Sequence, residues 1–211
     1  SQLLEPQTVD LFTRYTLEFA LDRLAQDSSL PALSVNLSPR QAEMAVTFAV
    51  LEKARPEVRQ RLLIELTEDP IIDFGSLAAV LRYFRSLGVR ILLDDIAGGW
   101  HQRSISLLDC ITGLKVDRNL LGYITADPMP QGARYLFDFA TTNGLIMIAE
   151  GVEDTALISL LVDRGVTHFQ GFAIGEPWAE PRVAQRQFAS VGRLQVSTPD
   201  AIRISTSFDK S

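Results

Sequence analysis

The sequence predicts an α/β fold of the (β/α)8-barrel type, and three observations carry that prediction. Short apolar runs alternate with amphipathic stretches along most of the chain, which is the pattern of parallel βαβ units rather than of an antiparallel sandwich. Each run closes on a polar or charged residue. A barrel gathers its site from the carboxyl ends of many strands, whereas an open doubly wound sheet concentrates its ligands at one switch point. The length of 211 residues fits one domain.

The first element is an amphipathic helix over about residues 8–26, with Leu11, Tyr15, Phe19, Leu21 and Leu24 at near-helical intervals and expected in the core. A strand over 33–38 follows, with Asn36 at its end, and Pro39 suits the first turn of a helix running to about residue 54. The next strand, 62–68, contains Glu65 and Glu68 and is stopped by Asp69 and Pro70; a helix over 76–87 ends at Gly88. Strand 90–96 carries Asp94 and Asp95, and strand 111–117 carries Lys115 and Asp117. A helix over 132–142 stops at Asn143 and Gly144, strand 145–153 ends in Glu150 and Glu153, and a helix over 155–164 leads to strand 168–174 with Gln170. From residue 190 the composition shifts to Gly, Ser, Thr and isolated charges, so residues 1–189 read as the barrel domain and 190–211 as a tail.

The stretch from Arg90 to Trp100 poses the chemical question, because an apolar strand runs straight into two adjacent carboxylates and a glycine pair. Ionised carboxylates at the end of a buried strand are costly unless solvated, paired or bound to cations. One acid in such a place serves equally well as a turn or helix cap. Acids and their polar allies at several strand ends together favour a metal site.

The formal charge of −6 argues against a general binder of DNA or RNA backbone. The single cysteine, Cys110, precludes an internal disulfide and reads as a core or boundary residue of a protein from a reducing, cytoplasmic compartment. No apolar run reaches membrane-spanning length, so an anchor is expected only in a longer parent.

Six short motifs occur in order: Val35-Asn-Leu-Ser38, Glu65-Leu-Thr-Glu68, Asp94-Asp95 followed by glycines, Leu114-Lys-Val-Asp117, Ala149-Glu-Gly-Val-Glu153 and Gln170-Gly171. In order and spacing the chain resembles the EAL family of bacterial signalling, which hydrolyses cyclic-di-GMP. The resemblance implies a modified (β/α)8 TIM-like barrel, with the first strand or strands outside this segment. It implies that Asn36, Glu65, Asp94 and Asp95 bind two Mg²⁺ or Mn²⁺ ions, that Lys115 holds the nucleophilic water, and that Glu150 supports the metal and water network. By the same resemblance Glu153 and Gln170 serve substrate binding, and Glu68 steadies the loop after Asp95. The expected product is linear pGpG, and the expected partners are cyclic-di-GMP, a second copy in a homodimer and an upstream regulatory or sensory domain.

The chain departs from the family pattern in two places. The Glu-Ala-Leu strand that names the family is expected upstream of Asn36, and this segment opens on the helix after it. The loop over residues 96–102 also lacks the small hydroxyl residues typical of the family. The alternative implied is an inactive domain that binds cyclic-di-GMP or a protein partner as an effector. Hard oxygen donors suit Mg²⁺ and Mn²⁺ and disfavour zinc, and two adjacent acids on one strand end can reach two neighbouring ions.

Overall fold

The computed structural model describes residues 6–67, 73–94, 107, 109–124 and 128–175. Helix α1 (Pro6–Gln26) leads to strand β1 (Leu33–Leu37), then α2 (Pro39–Ala42), α3 (Ala45–Lys53) and α4 (Pro56–Arg59). Strand β2 (Leu62–Leu66), α5 (Phe74–Ser86), β3 (Arg90–Leu93) and β4 (Gly113–Val116) follow. The remaining elements are α6 (Arg118–Ile124), α7 (Gln131–Thr142), β5 (Ile146–Ala149), α8 (Ala156–Asp163) and β6 (His168–Phe169). The six strands form one parallel sheet in the order β1-β2-β3-β4-β5-β6, a half-barrel in which every strand lies beside its neighbour in sequence. No strand order reverses, so there is no switch point among the described residues. No described helix is long and apolar enough to cross a membrane.

The pleat divides each strand between two environments. Val35, Leu37, Leu62, Ile64, Leu66, Ile91, Leu93, Leu114, Val116, Met147 and Ala149 point toward the helices and join one large core with Leu17, Leu24, Leu51, Leu81, Phe84 and Phe137. The opposite, inner face holds a small second cluster of Ala32, Leu63, Leu92 and Ile148, with Ile146 packed against it. Gly113 belongs to this inner face. A Cβ there would sit 2.5 Å from the Ile146 carbonyl oxygen and 2.9 Å from its Cβ, so only glycine lets β4 and β5 close up at this level.

Two expectations are corrected. Leu11, Tyr15 and Phe19 are not core residues: they are 68, 68 and 57% exposed, while Leu17, Ala20, Leu21 and Leu24 are buried. The helix carries two apolar stripes on opposite faces, and helical spacing alone does not say which one meets the sheet. The expected helix over 39–54 is interrupted at Glu43 and Met44, where Met44 is extended (φ −74, ψ 140) and Thr47 Oγ1 donates to the Gln41 carbonyl. Helix α6 follows directly on β4 because the Asp117 carboxylate accepts from Leu120 N at 2.8 Å, acting as the cap of that helix. The tail over 190–211 lies outside the described residues.

Candidate metal centre

The polar residues that close the strands fall on the inner face because of simple parity. Asn36 of β1 pairs in register with Glu65 of β2, and Glu65 pairs with Leu92 of β3; Asp94 is two residues beyond Leu92 and shares its side of the sheet. Lys115 of β4 pairs with Ile148 of β5, and Glu150 lies two residues further on. Ile148 in turn pairs with His168 of β6, which places Gln170 at the corresponding level. An apolar floor of Leu63, Leu92 and Ile148 therefore underlies a polar layer at the carboxyl ends of the strands.

Within that layer three carboxylates and one amine converge. Lys115 Nζ donates to Glu65 Oε2 at 2.6 Å, lies 3.3 Å from Asp94 Oδ1 and contacts Glu150 Oε1. One oxygen each from Glu65, Asp94 and Glu150 lies within 4.8 Å of the others, the geometry of a cation seat. Glu65 is 0% exposed and Lys115 4%. Burial alone would lower the Lys115 ammonium, but the fields of Glu65, Glu150 and Asp94 together outweigh it and hold the amine above its ordinary value. Burial raises Glu150, with Asp94 and Glu65 pushing the same way and Lys115 opposing them.

The residues present fit a divalent cation on two grounds. With the carboxylates ionised, one ammonium against three acids leaves two negative charges at a largely buried place, which a divalent ion neutralises. Glu65 Oε1 is also buried without a hydrogen-bond partner among the described residues, although its sister oxygen is bound to Lys115. All the donors are hard oxygens, which suits Mg²⁺, Mn²⁺ or Ca²⁺ rather than zinc.

Of the residues singled out in the sequence, Glu65, Asp94, Lys115 and Glu150 are thus brought together, and Asn36 stands exposed beside Glu65 on the same face. Asp95 and Glu68 lie outside the described residues. Gln170 Oε1 is buried without a hydrogen-bond partner among the described residues. Gly171 has φ +150 and leaves room for the chain to pass Val152: a Cβ would lie 2.4 Å from Val152 N and O. Backbone bonds from Val152 N to Gln170 O and from Ala173 N to Val152 O tie the two segments there. Glu153 is held apart from the Lys115 cluster by a two-point pair with Arg118, at 2.7 and 2.8 Å, on an exposed surface. Arg118 went unnoticed in the sequence; its place directly after the Leu114-to-Asp117 motif was the available signal.

A family model described as the EAL domain matches residues 2–177. Among curated proteins the chain is 30% identical over 150 residues to the cyclic di-GMP phosphodiesterase PdeR of Escherichia coli K12, a match covering 69% of this chain and 23% of PdeR. The chain thus spans less than a quarter of that relative's length. Among solved structures, the EAL enzyme Bd1971 in its cAMP- and cyclic-di-GMP-bound form superposes with a TM-score of 0.68 at 24% identity, covering 82% of this chain and 50% of that one. The Bacillus subtilis YkuI protein, with an EAL domain in complex with cyclic-di-GMP and calcium, gives a TM-score of 0.66 at 21% identity, covering 85% and 46%.

Proposed function

Since the chain belongs to the EAL domain family, we propose that it takes part in metal-dependent hydrolysis of cyclic-di-GMP to linear pGpG. The observation that carries this reading is the convergence of Glu65, Asp94, Glu150 and Lys115 above an apolar floor. Asn36, Glu65 and Asp94 would hold one Mg²⁺ or Mn²⁺, with Asp95 reaching a second. The bound ions would supply Lewis acidity toward the phosphodiester and lower the pKa of water.

The protein's own side chains account for the rest. Lys115 presents an ammonium where negative charge develops on the phosphoryl oxygens and can hold the attacking water by a hydrogen bond. Glu150, whose carboxyl is raised mainly by burial, is placed to accept a proton from that water. Gln170 offers its unpartnered Oε1 to a bound donor such as a guanine N–H. Glu153, paired with Arg118, flanks the mouth and would bind substrate only by leaving that pair. Glu68 is assigned to the support of the loop after Asp95. The reading extends to a homodimer, a regulatory domain elsewhere in the protein, and a cytoplasmic setting consistent with the free, buried Cys110.

The test is to incubate the purified protein with cyclic-di-GMP and Mn²⁺ or Mg²⁺ and separate the products by chromatography. Linear pGpG formed with metal, and none with chelator, is the expected result. The altered loop over residues 96–102 favours a second reading, an effector that binds the dinucleotide without cutting it. Calorimetric binding without product would establish that alternative, and neither binding nor product would overturn both.

A further inference from the structure

A cation of the protein's own stands against each of the three carboxylates best placed to hold a metal ion. Lys115 Nζ lies against Glu65 Oε2, Asp94 Oδ1 and Glu150 Oε1, one oxygen from each of the same three residues that make the cation seat. An ion coordinated by carboxylates sits about 2.0–2.1 Å from its oxygens if it is Mg²⁺ and somewhat further if it is Ca²⁺. An ammonium drawing on the same three carboxylates competes with such an ion for their charge.

The inner face explains why the amine rests there. Leu63, Leu92 and Ile148 form an apolar layer directly below the carboxylates, which solvates charge poorly. Three acids crowded together without a cation would be strongly destabilising. The side chain that relieves this is a lysine, a point charge on a four-carbon stem, and not an arginine with a rigid fork. Such a stem can carry its head away from the ring toward the mouth without moving β4.

We propose that Lys115 is the resident counter-ion of this seat and that a divalent cation enters by exchange, expelling the ammonium toward the mouth. The inference rests on the metal-binding reading above and adds an order of events to it. Before the ion arrives the amine is tied to three carboxylates and has little freedom to hold water. After exchange it is released beside the ion, so the same event that loads the site also frees the group assigned to the water. The cost of exchange weakens metal affinity, and the resident ammonium stabilises the metal-free protein.

The experiment compares wild type with Lys115→Met and Lys115→Gln, each stripped with chelator. Mn²⁺ affinity is measured by calorimetry and thermal stability with and without Mn²⁺. Removing the competing charge is expected to tighten Mn²⁺ binding by about tenfold or more, lower the metal-free melting temperature and enlarge the rise on adding Mn²⁺. Affinity unchanged or weakened in both variants overturns the exchange while leaving metal-dependent function standing; no Mn²⁺ binding by wild type or variants overturns both. Should both variants fail to fold without metal, wild type alone decides. Its Lys115 amine, followed by mass spectrometry after reductive methylation, is expected to resist labelling without metal and to react once Mn²⁺ is added. Equal labelling in the two states overturns the proposal.

Discussion

The two ends of the same sheet handle charge in opposite ways. Where the strands begin, cations are satisfied by backbone: Arg61 donates to the carbonyls of Leu24, Asp27 and Leu30, and Arg59 to those of Leu51, Glu52, Ala54 and Leu87. Arg85 donates to the Ile111 and Asp109 carbonyls. Those carbonyls include the unpaired ends of α1 and α3, so the guanidiniums act as C-terminal caps. Where the strands end, three carboxylates share one amine, and Glu65 Oε1 and Gln170 Oε1 are buried without a partner among the described residues. The first arrangement pairs the guanidiniums of Arg59, Arg61 and Arg85 with acceptors of the chain itself. The second leaves acceptors unpaired among the described residues, at the end of the strands where a (β/α) barrel builds its ligand site.

Substitutions at the two ends should therefore fail in different ways. The largest effect is expected for Lys115→Ala, which should lower kcat for cyclic-di-GMP by about 10²–10³-fold or more while Mn²⁺ binding persists, measured by turnover and calorimetry side by side. Arg61→Ala should do the reverse. It strands several buried carbonyls and should cost about 3 kcal/mol by urea denaturation, with Mn²⁺ affinity unchanged for the folded fraction. If Arg61→Ala spared stability but abolished metal binding, the separation of the two ends would be wrong.

Gly113→Ala tests the floor that lies between them. Its Cβ would meet the Ile146 carbonyl oxygen and Cβ, and overpacking of that kind should cost about 1–3 kcal/mol in the same denaturation assay. The smallest effect belongs to Cys110, at the strand-start end. Burial first, and then its bond to the Asp109 carboxylate, push its thiol up from 9.0 to about 11. Because the folded value lies above the unfolded one, this contribution to stability is complete below pH 9 and disappears as pH climbs through 11. Cys110→Ala should flatten the fall in stability over that window, and the native thiol should resist alkylation at pH 8 until the protein unfolds.

Much of this was readable from residue order. All six strands were found, because a strand covered on both sides is apolar along its length, and five of the helices were found from their spacing and stops. Their ends were less legible. The run expected over 145–153 is strand only for Ile146–Ala149, and that over 168–174 only for His168–Phe169. Side chains remain suitable for a strand after the hydrogen-bonded ladder has stopped. Glu65, Asp94, Lys115 and Glu150 were singled out and do meet, whereas Asp117, at an equivalent strand end, caps α6 and leaves the cluster. Nothing local separates Asp94 from Asp117: both are acids that follow a short apolar run.

The amino-acid order by itself determined the alternation of strand and helix, the family and the kinds of atom that would face a ligand, since period, punctuation and motif are properties of neighbours along the chain. Tertiary structure alone decided which stripe of α1 faces the sheet, that Glu153 is bound to Arg118, and that the Lys115 ammonium stands among three carboxylates. Those outcomes depend on distances between side chains as many as fifty positions apart, which are fixed only when parallel strands pair in register and the pleat assigns each side chain to one face.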